Sequence, residues 1–219
     1  MKTESNKIIC IGAGGSTKVI LDIIGEYRNN KIIGILDDDE NIYNQDFLGI
    51  NIIGKSSDIV NYFSDKCDEA IICVGATKDT INRKEIYEFL KSQDIAVGSA
   101  ISKCATISRN ITIDTGLISM PGVIINSGCK IGENVFFNTG CIIEHDCIIE
   151  NNVFLSPGVI LSGRVKIKSN SFVGTGTVIS TGLVVGNNVT IGAGSVVVKD
   201  VPDNVIVYGN PAHKNMRKK

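Results

Sequence analysis

The amino-acid sequence predicts an α/β Rossmann-like domain over residues 1–98, followed over residues 99–219 by a left-handed parallel β-helix of hexapeptide repeats. Three observations predict this. Strand-like and helix-like runs alternate up to about Gly98, and an apolar residue then recurs at every sixth position from Ile101. Glycine is frequent, at 23 residues, whereas aromatics are scarce, at 7 Phe, 5 Tyr and no Trp. At the usual ~150 residues per domain, 219 residues leave room for one to two domains.

In the first domain, Lys7–Ile11 (KIICI) is short, apolar and β-branched, a buried strand followed by GAGGSTK. From Thr17 to Tyr27, Val19, Ile20, Ile23 and Ile24 recur at helical spacing. Lys31–Leu36 (KIIGIL) is a second strand, closed by Asp37-Asp38-Asp39. Ser56–Phe63 reads as a short helix capped by Ser56 or Ser57, and Ala70–Val74 (AIICV) as a third strand ending at Gly75. Asp79–Lys91 is a charged amphipathic helix with Ile81, Ile86, Phe89 and Leu90 on one side. Such alternation builds βαβ units around a small parallel sheet.

The second domain counts in sixes. Of the seventeen positions from Ile101 to Val197, sixteen are apolar, Ser119 being the exception. Three residues further on, fifteen of seventeen are Gly, Asn or Asp, which tolerate a left-handed backbone; Cys104 and Arg164 are the others. Four residues on, small or β-branched residues dominate, among them Val123, Cys129, Val135, Cys141, Cys147, Val153 and Val159. Each hexad forms one flat face, and three faces close a coil of about eighteen residues, stacked at the ordinary strand spacing of ~4.8 Å. A narrow interior explains the missing aromatics and makes Cys129, Cys141 and Cys147 small core residues.

Composition excludes several functions. A net charge of −1 argues against binding nucleic acid by phosphate neutralisation. No apolar run approaches a membrane span, no signal peptide is visible, and the seven cysteines have no framework spacing. The simplest reading is a reduced cytoplasmic chain without membrane insertion. Of two histidines only His145 lies in the coils, so a zinc site of three histidines fails and no metal is expected.

His145 sits beside the turn residue Asp146, between inward Ile143 and Cys147, so it projects outward near a corner. There it faces solvent or a neighbouring subunit, and an imidazole can take the proton of an attacking amine or hydroxyl. Asp146 and Glu144 are both near enough to orient it, though Asp146 has a second reading as a simple left-handed turn residue. Eighteen residues on, Gly163 stacks one coil along, where its N–H can meet an oxyanion beside the histidine; Arg164 next to it replaces the usual turn residue.

In the first domain, Gly12-Ala13-Gly14-Gly15 between a strand and a helix suits a phosphate, with Lys18 adding charge. Thr17 stands where the full dinucleotide fingerprint needs glycine, which weighs against nicotinamide binding. Asp37 and Asp38 are placed to accept from a base, ribose or sugar amine, or else form an ordinary acidic turn. Tyr87 and Lys91 mimic the Tyr-x-x-x-Lys pair of short-chain dehydrogenases, but read here as a solvated helix face.

The segments IICIGAGGSTKVILDII and GILDDDE, the third strand ending in Val-Gly, IIEHDCII within the hexads and the closing KDVPDNVIVYGNPAHK together resemble the NeuD/PglD-like family of bacterial sugar acyltransferases. The resemblance spans essentially the whole chain. It implies a homotrimer that uses acetyl-CoA to acetylate a sugar, often the 4-amino group of a nucleotide-linked amino-deoxysugar destined for surface glycan such as lipopolysaccharide O-antigen. It also implies His145 as general base, Asp146 as its acidic partner and Gly163 as the amide holding the thioester oxygen. The nucleotide sugar would fall to Gly14, Gly15, Lys18, Asp37, Asp38 and Gly75. CoA would run along glycine-rich turns at Gly163, Gly176, Gly182 and Gly194, with the cationic tail Lys214, Arg217, Lys218 and Lys219 at its phosphates or simply solvated.

Two positions depart from the family pattern. Ser16 stands where many members carry histidine, which touches the sugar contacts. Phe154 replaces a histidine nine residues beyond the base, which implies a changed wall near the acetyl group or amine. O-acetylation of a sialic-acid-type sugar, a non-catalytic trimeric scaffold that binds sugar nucleotides, and a nicotinamide-dependent oxidoreductase are the alternatives.

Overall fold

Short apolar segments separated by turns form roughly the first two fifths of the protein, for which a computed structural model describes residues 5–63 and 66–214 of the chain. In order these are β1 (Asn6–Ile11), α1 (Gly15–Gly25), β2 (Asn30–Leu36), β3 (Asp46–Phe47), β4 (Ile50–Gly54), β5 (Glu69–Ile72) and α2 (Ile81–Ser92). The sheet order is β3-β4-β2-β1-β5, parallel except for the β3–β4 pair. Flanked on both edges, β1 buries Ile8, Ile9, Cys10 and Ile11 completely, as a central parallel strand must. Ile11, Leu36, Ile59, Ile72, Tyr87 and Leu90 share one core cluster with Ile9.

Two expectations for this unit need correcting. The helix α2 turns Arg83, Tyr87 and Leu90 inward, whereas Ile81 is 55 % exposed. Tyr87 is therefore core and not a solvated face; the Lys91 ammonium lies 5.6 Å from its ring centroid, consistent with a cation–π contact. The segment from Ser56 forms a 3-10 helix, Ser56–Asn61, entered through Lys55, whose N–H donates to Asp58 Oδ2 at 3.1 Å.

By contact density the chain separates into one unit of residues 1–75 and 82–101 and a second of residues 76–81 and 102–219. The second unit is a left-handed parallel β-helix with three faces. Strands of the first face recur every eighteen residues from Thr106–Ile107 to Val196–Val197. Those of the second run from Thr112–Ile113 to Val184–Val185, and those of the third from Ile118–Ser119 through Thr190–Ile191 to Ile206–Tyr208 and His213–Lys214. Stacked pairs such as Ile124↔Ile142, Lys130↔Ile148 and Phe136↔Phe154 hold the register.

The hexad turns behave as their residue types require. Every sixth residue from Gly116 to Gly194 has a positive φ, including Arg164 at 62°. Cys104, Asn110 and Asp200, expected in the same role, do not. The last coil is two residues short, so Val201 bridges Val185. Cys129, Cys141 and Cys147 are buried small core residues, as expected.

One corner carries a ladder of side-chain amides. Asn134 donates to Asn152, Asn152 to Asn170, Asn170 to Asn188 and Asn188 to Asn204, at 2.8–3.1 Å. Asparagine serves here twice, tolerating the left-handed turn and pairing with the coils above and below. Asn152→Ala should lower stability by about 1–3 kcal/mol, from the left-handed cost plus two lost hydrogen bonds. Urea unfolding should show a lower midpoint at unchanged m; an unchanged midpoint would mean the ladder is ornamental.

Candidate active site

The corner between the first and second faces assembles His145, Asp146 and Gly163. Ile143 and Cys147 point inward and fix the chain on either side, leaving the His145 and Asp146 side chains about half exposed. Asp146 takes φ 60°, and its Oδ2 lies 2.8 Å from His145 Nδ1. The two readings of Asp146 hold together: the left-handed turn is what aims its carboxylate back at the ring. Glu144 is not the partner, because its Oε2 accepts from Asn126 Nδ2 at 2.9 Å, one coil earlier.

With Nδ1–H donated to a carboxylate, the lone pair of the neutral imidazole is on Nε2. That nitrogen sits over Gly163. A Cβ on Gly163 would lie 2.5 Å from Nε2 and 2.7 Å from Cε1, so the ring fills the space a side chain would occupy. The Arg164 N–H donates to the His145 carbonyl at 2.8 Å, tying the two coils, while the Gly163 N–H has no partner among the described residues. Arg164 is left-handed here, at a cost of about 1–2 kcal/mol for a residue with a Cβ. On the other side, a Cβ on Gly128 would collide with Asp146 Oδ1. Two glycines, one on each of the coils flanking the pair, thus clear room for it, one for each side chain. Sequence reasoning found Gly163 but read Gly128 only as a turn; its eighteen-residue offset from Asp146 was the usable signal.

Beneath the pair, Cys129 and Cys147 stack on successive coils. Their thiols donate to the Glu144 carbonyl at 3.1 Å and the Ser162 carbonyl at 3.3 Å. The close approach of the two sulfurs lowers Cys129, and together with burial it pushes Cys147 up.

The proposed CoA glycines occupy two corners. Gly182 follows Gly163 on the histidine corner, its N–H donating to the Gly163 carbonyl at 3.0 Å. Gly176 and Gly194 stack on the corner between the third and first faces. Beside that corner lies a cavity of about 400 Å³, lined by Asn138, Phe154, Ser156, Phe172, Gly174, Thr175 and Lys78 among others. Phe154 is stacked between Phe136 and Phe172, with centroids 4.6 and 5.6 Å away. Within one chain it is therefore on a different face from His145, not on a wall beside it. Lys214 closes the final antiparallel strand, whereas its side chain and Arg217, Lys218 and Lys219 lie outside the described residues.

In the first unit, Gly14 caps α1 without a side-chain hydrogen bond, and Gly14 and Gly15 are exposed with open space about them. Lys18 is exposed on the next turn. Thr17 Oγ1 donates to the Gly12 carbonyl at 2.8 Å, and Ser16 Oγ to the Cys73 carbonyl at 3.1 Å, beside Gly75. Asp37 lines a cavity of the first unit and also holds the glycine loop. Its Oδ2 accepts the Ala13 N–H at 2.6 Å and its Oδ1 the Asp39 N–H at 2.9 Å, so it shapes the glycine loop. Asp38 spends one oxygen on the Ser56 N–H at 2.9 Å. Arg83, 2 % exposed, donates to the Ile72 and Val74 carbonyls and anchors the strand end before Gly75. Burial lowers its pKa to about 10, leaving it charged at neutral pH.

Three family models match the chain: the PglD N-terminal domain over residues 7–90, the bacterial transferase hexapeptide (six repeats) over 128–163, and the hexapeptide repeat of succinyl-transferase over 164–199. The acetyltransferase domain of PglB from Neisseria gonorrhoeae, solved in complex with acetyl coenzyme A, is 30 % identical. The match covers 96 % of this chain and 100 % of that one, with a TM-score of 0.86. The chain belongs to the NeuD/PglD-like family of hexapeptide-repeat sugar acyltransferases. As a member of that family it is an acyl-transfer enzyme.

Other solved structures are also similar to this chain. A variant of perosamine N-acetyltransferase from Caulobacter crescentus, in complex with CoA and GDP-perosamine, is 26 % identical over 96 % of this chain and 97 % of that one, with a TM-score of 0.89. WeeI from Acinetobacter baumannii, 24 % identical over 97 % of this chain and 100 % of that one, shares the fold at a TM-score of 0.84. A search of curated proteins gave no match. Among the described residues no helix is long and apolar enough to cross a membrane.

Proposed function

We propose that the chain is an acetyl-CoA-dependent N-acetyltransferase acting on the 4-amino group of a nucleotide-linked amino-deoxysugar, working in the cytoplasm for surface glycan synthesis. The observation that carries this reading is the His145–Asp146 pair at 2.8 Å, with Nε2 directed over a glycine whose N–H has no partner among the described residues. The sugar amine attacks the thioester carbonyl and passes its proton to Nε2, while Asp146 stabilises the imidazolium. The Gly163 N–H steadies the tetrahedral oxyanion, and the imidazolium returns the proton to the departing CoA thiolate.

Assembly as a homotrimer is supported by the outer surface of the first face. Its outward positions are Thr106, Ile124, Ile142, Ile160, Val178 and Val196, aliphatic in all but the first, whereas the second face interleaves Lys130 and Lys166. An apolar stripe of this kind is an interaction surface. In a closed three-fold ring the contact is heterologous, so the two edges of that face meet across each seam. One edge carries His145, Gly163 and Gly182; the other carries Gly176, Gly194 and the cavity walled by Phe154 and Phe172. CoA then lies in the seam between two chains, and Phe154 returns to the acetyl group from the neighbour.

Release of CoA thiol, followed with DTNB, tests the reading. Turnover is expected with UDP-, dTDP- or GDP-linked 4-amino sugars and not with sialic acids. Turnover on sialic acids alone would make the enzyme an O-acetyltransferase, and none on any sugar would leave a binding scaffold.

A further inference from the structure

The cavity of about 510 Å³ in the first unit bears on which nucleotide carries the sugar, an inference that rests on reading this unit as the nucleotide-sugar site. Gly12 lines it at the end where α1 begins, and Asp38 lines it at the end of β2. The opposite wall is one stripe of α2: Asn82, Glu85, Ile86 and Phe89, at the three- and four-residue spacing that puts side chains on the same side of a helix.

The polar groups in this wall are uncommitted. The side chains of Asn82 and Glu85 make no hydrogen bond or ion pair to another described residue, and the second oxygen of Asp38 is likewise without a partner among them. The helix thus offers a carboxylate, an amide one turn away, and the apolar surfaces of Ile86 and Phe89 against which a ring can lie.

The bases differ in what they offer such a wall. Guanine presents N1–H and an N2 amino group side by side, with the O6 acceptor adjacent. Uracil and thymine present a single N3–H flanked by two carbonyl oxygens. Adenine and cytosine set one amino group beside a bare ring nitrogen. Only guanine gives a carboxylate two parallel charge-assisted hydrogen bonds; each of the others sets a lone pair against the negative charge.

We propose that the sugar donor is guanosine-linked, with Glu85 accepting from N1–H and N2–H of guanine and Asn82 donating to O6. Asp38 accepts from the ribose through its free oxygen, the role an acidic residue after the second strand takes in dinucleotide sites. The diphosphate then runs past Gly12 toward the start of α1.

Calorimetric titration of the full chain with GDP, UDP, dTDP, ADP and CDP tests this. GDP should bind about 10- to 100-fold more tightly than the others, the discrimination a bidentate base contact provides. Glu85→Gln, at an exposed position, should weaken GDP about 10-fold while leaving UDP unchanged, and Asn82→Ala should weaken GDP less. Tighter binding of UDP or dTDP than GDP, or undiminished GDP binding by Glu85→Gln, overturns the guanine assignment and leaves the nucleotide site standing. Failure of every nucleoside diphosphate to bind overturns the nucleotide reading itself.

Discussion

His145→Ala should reduce kcat/KM for acetyl transfer by roughly 10²–10⁴-fold, the range a positioned general base contributes. The side chain is about half exposed, so the protein should fold and assemble as before. Its far-ultraviolet circular dichroism and thermal midpoint are expected to match the wild type. His145→Asn provides a stricter comparison, because an amide can still hydrogen-bond Asp146 but cannot hold a proton in transit. Full transfer by either variant would remove His145 from the chemistry and shift the case toward a scaffold that binds sugar nucleotides.

Gly163→Ala should cost about 100-fold in kcat with little change in stability. Gly163 does not have a left-handed backbone, so alanine is conformationally acceptable there. Its methyl would nevertheless stand 2.5 Å from His145 Nε2, and contact distances require the ring to retreat by about an ångström. The ring is the mobile end of an exposed side chain, so the retreat is cheap for folding. It is costly for chemistry, since a misplacement of this size is worth about 10² in rate. The variant keeps the N–H at residue 163, which separates displacement of the base from loss of an oxyanion donor. Unchanged kcat would show that the crowding between ring and glycine has no part in catalysis.

Much of this architecture was legible because the coil repeats one packing problem many times. Inward aliphatics, left-handed corners and small second positions recur at fixed offsets, so each hexad reinforces its neighbours. The single irregular coil, ending with Val201 against Val185, escaped the count because valine also satisfies the regular pattern nearby. The β3–β4 hairpin escaped for the opposite reason. Its turn places Leu48 and Gly49 at φ 55° and 84°, where Asn-Gly is the usual signal and leucine gives none.

At the site, sequence adjacency alone could not choose between Glu144 and Asp146. The choice depends on the residue one coil away: Asn126 captures Glu144, and Gly128 makes room for Asp146. For Asp37 the acidic-turn reading and the ligand reading are not exclusive: its carboxylate accepts the N–H groups of Ala13 and Asp39 and still lines the cavity. The acceptors around α2 were passed over because a charged stripe on a helix looks solvated until a concave wall opposes it.

The uniform winding also limits how such a chain can change length over evolution. Deleting one amino acid from a flat stretch would exchange interior for exterior in everything downstream, as a one-step slip does in any pleated strand. Tolerated insertions must therefore either extrude from a corner as a side loop or arrive as a complete extra circuit. The deficit near Val201 is of two residues, which keeps that alternation: Val201 and Val207 stay buried against Val185 and Ile191.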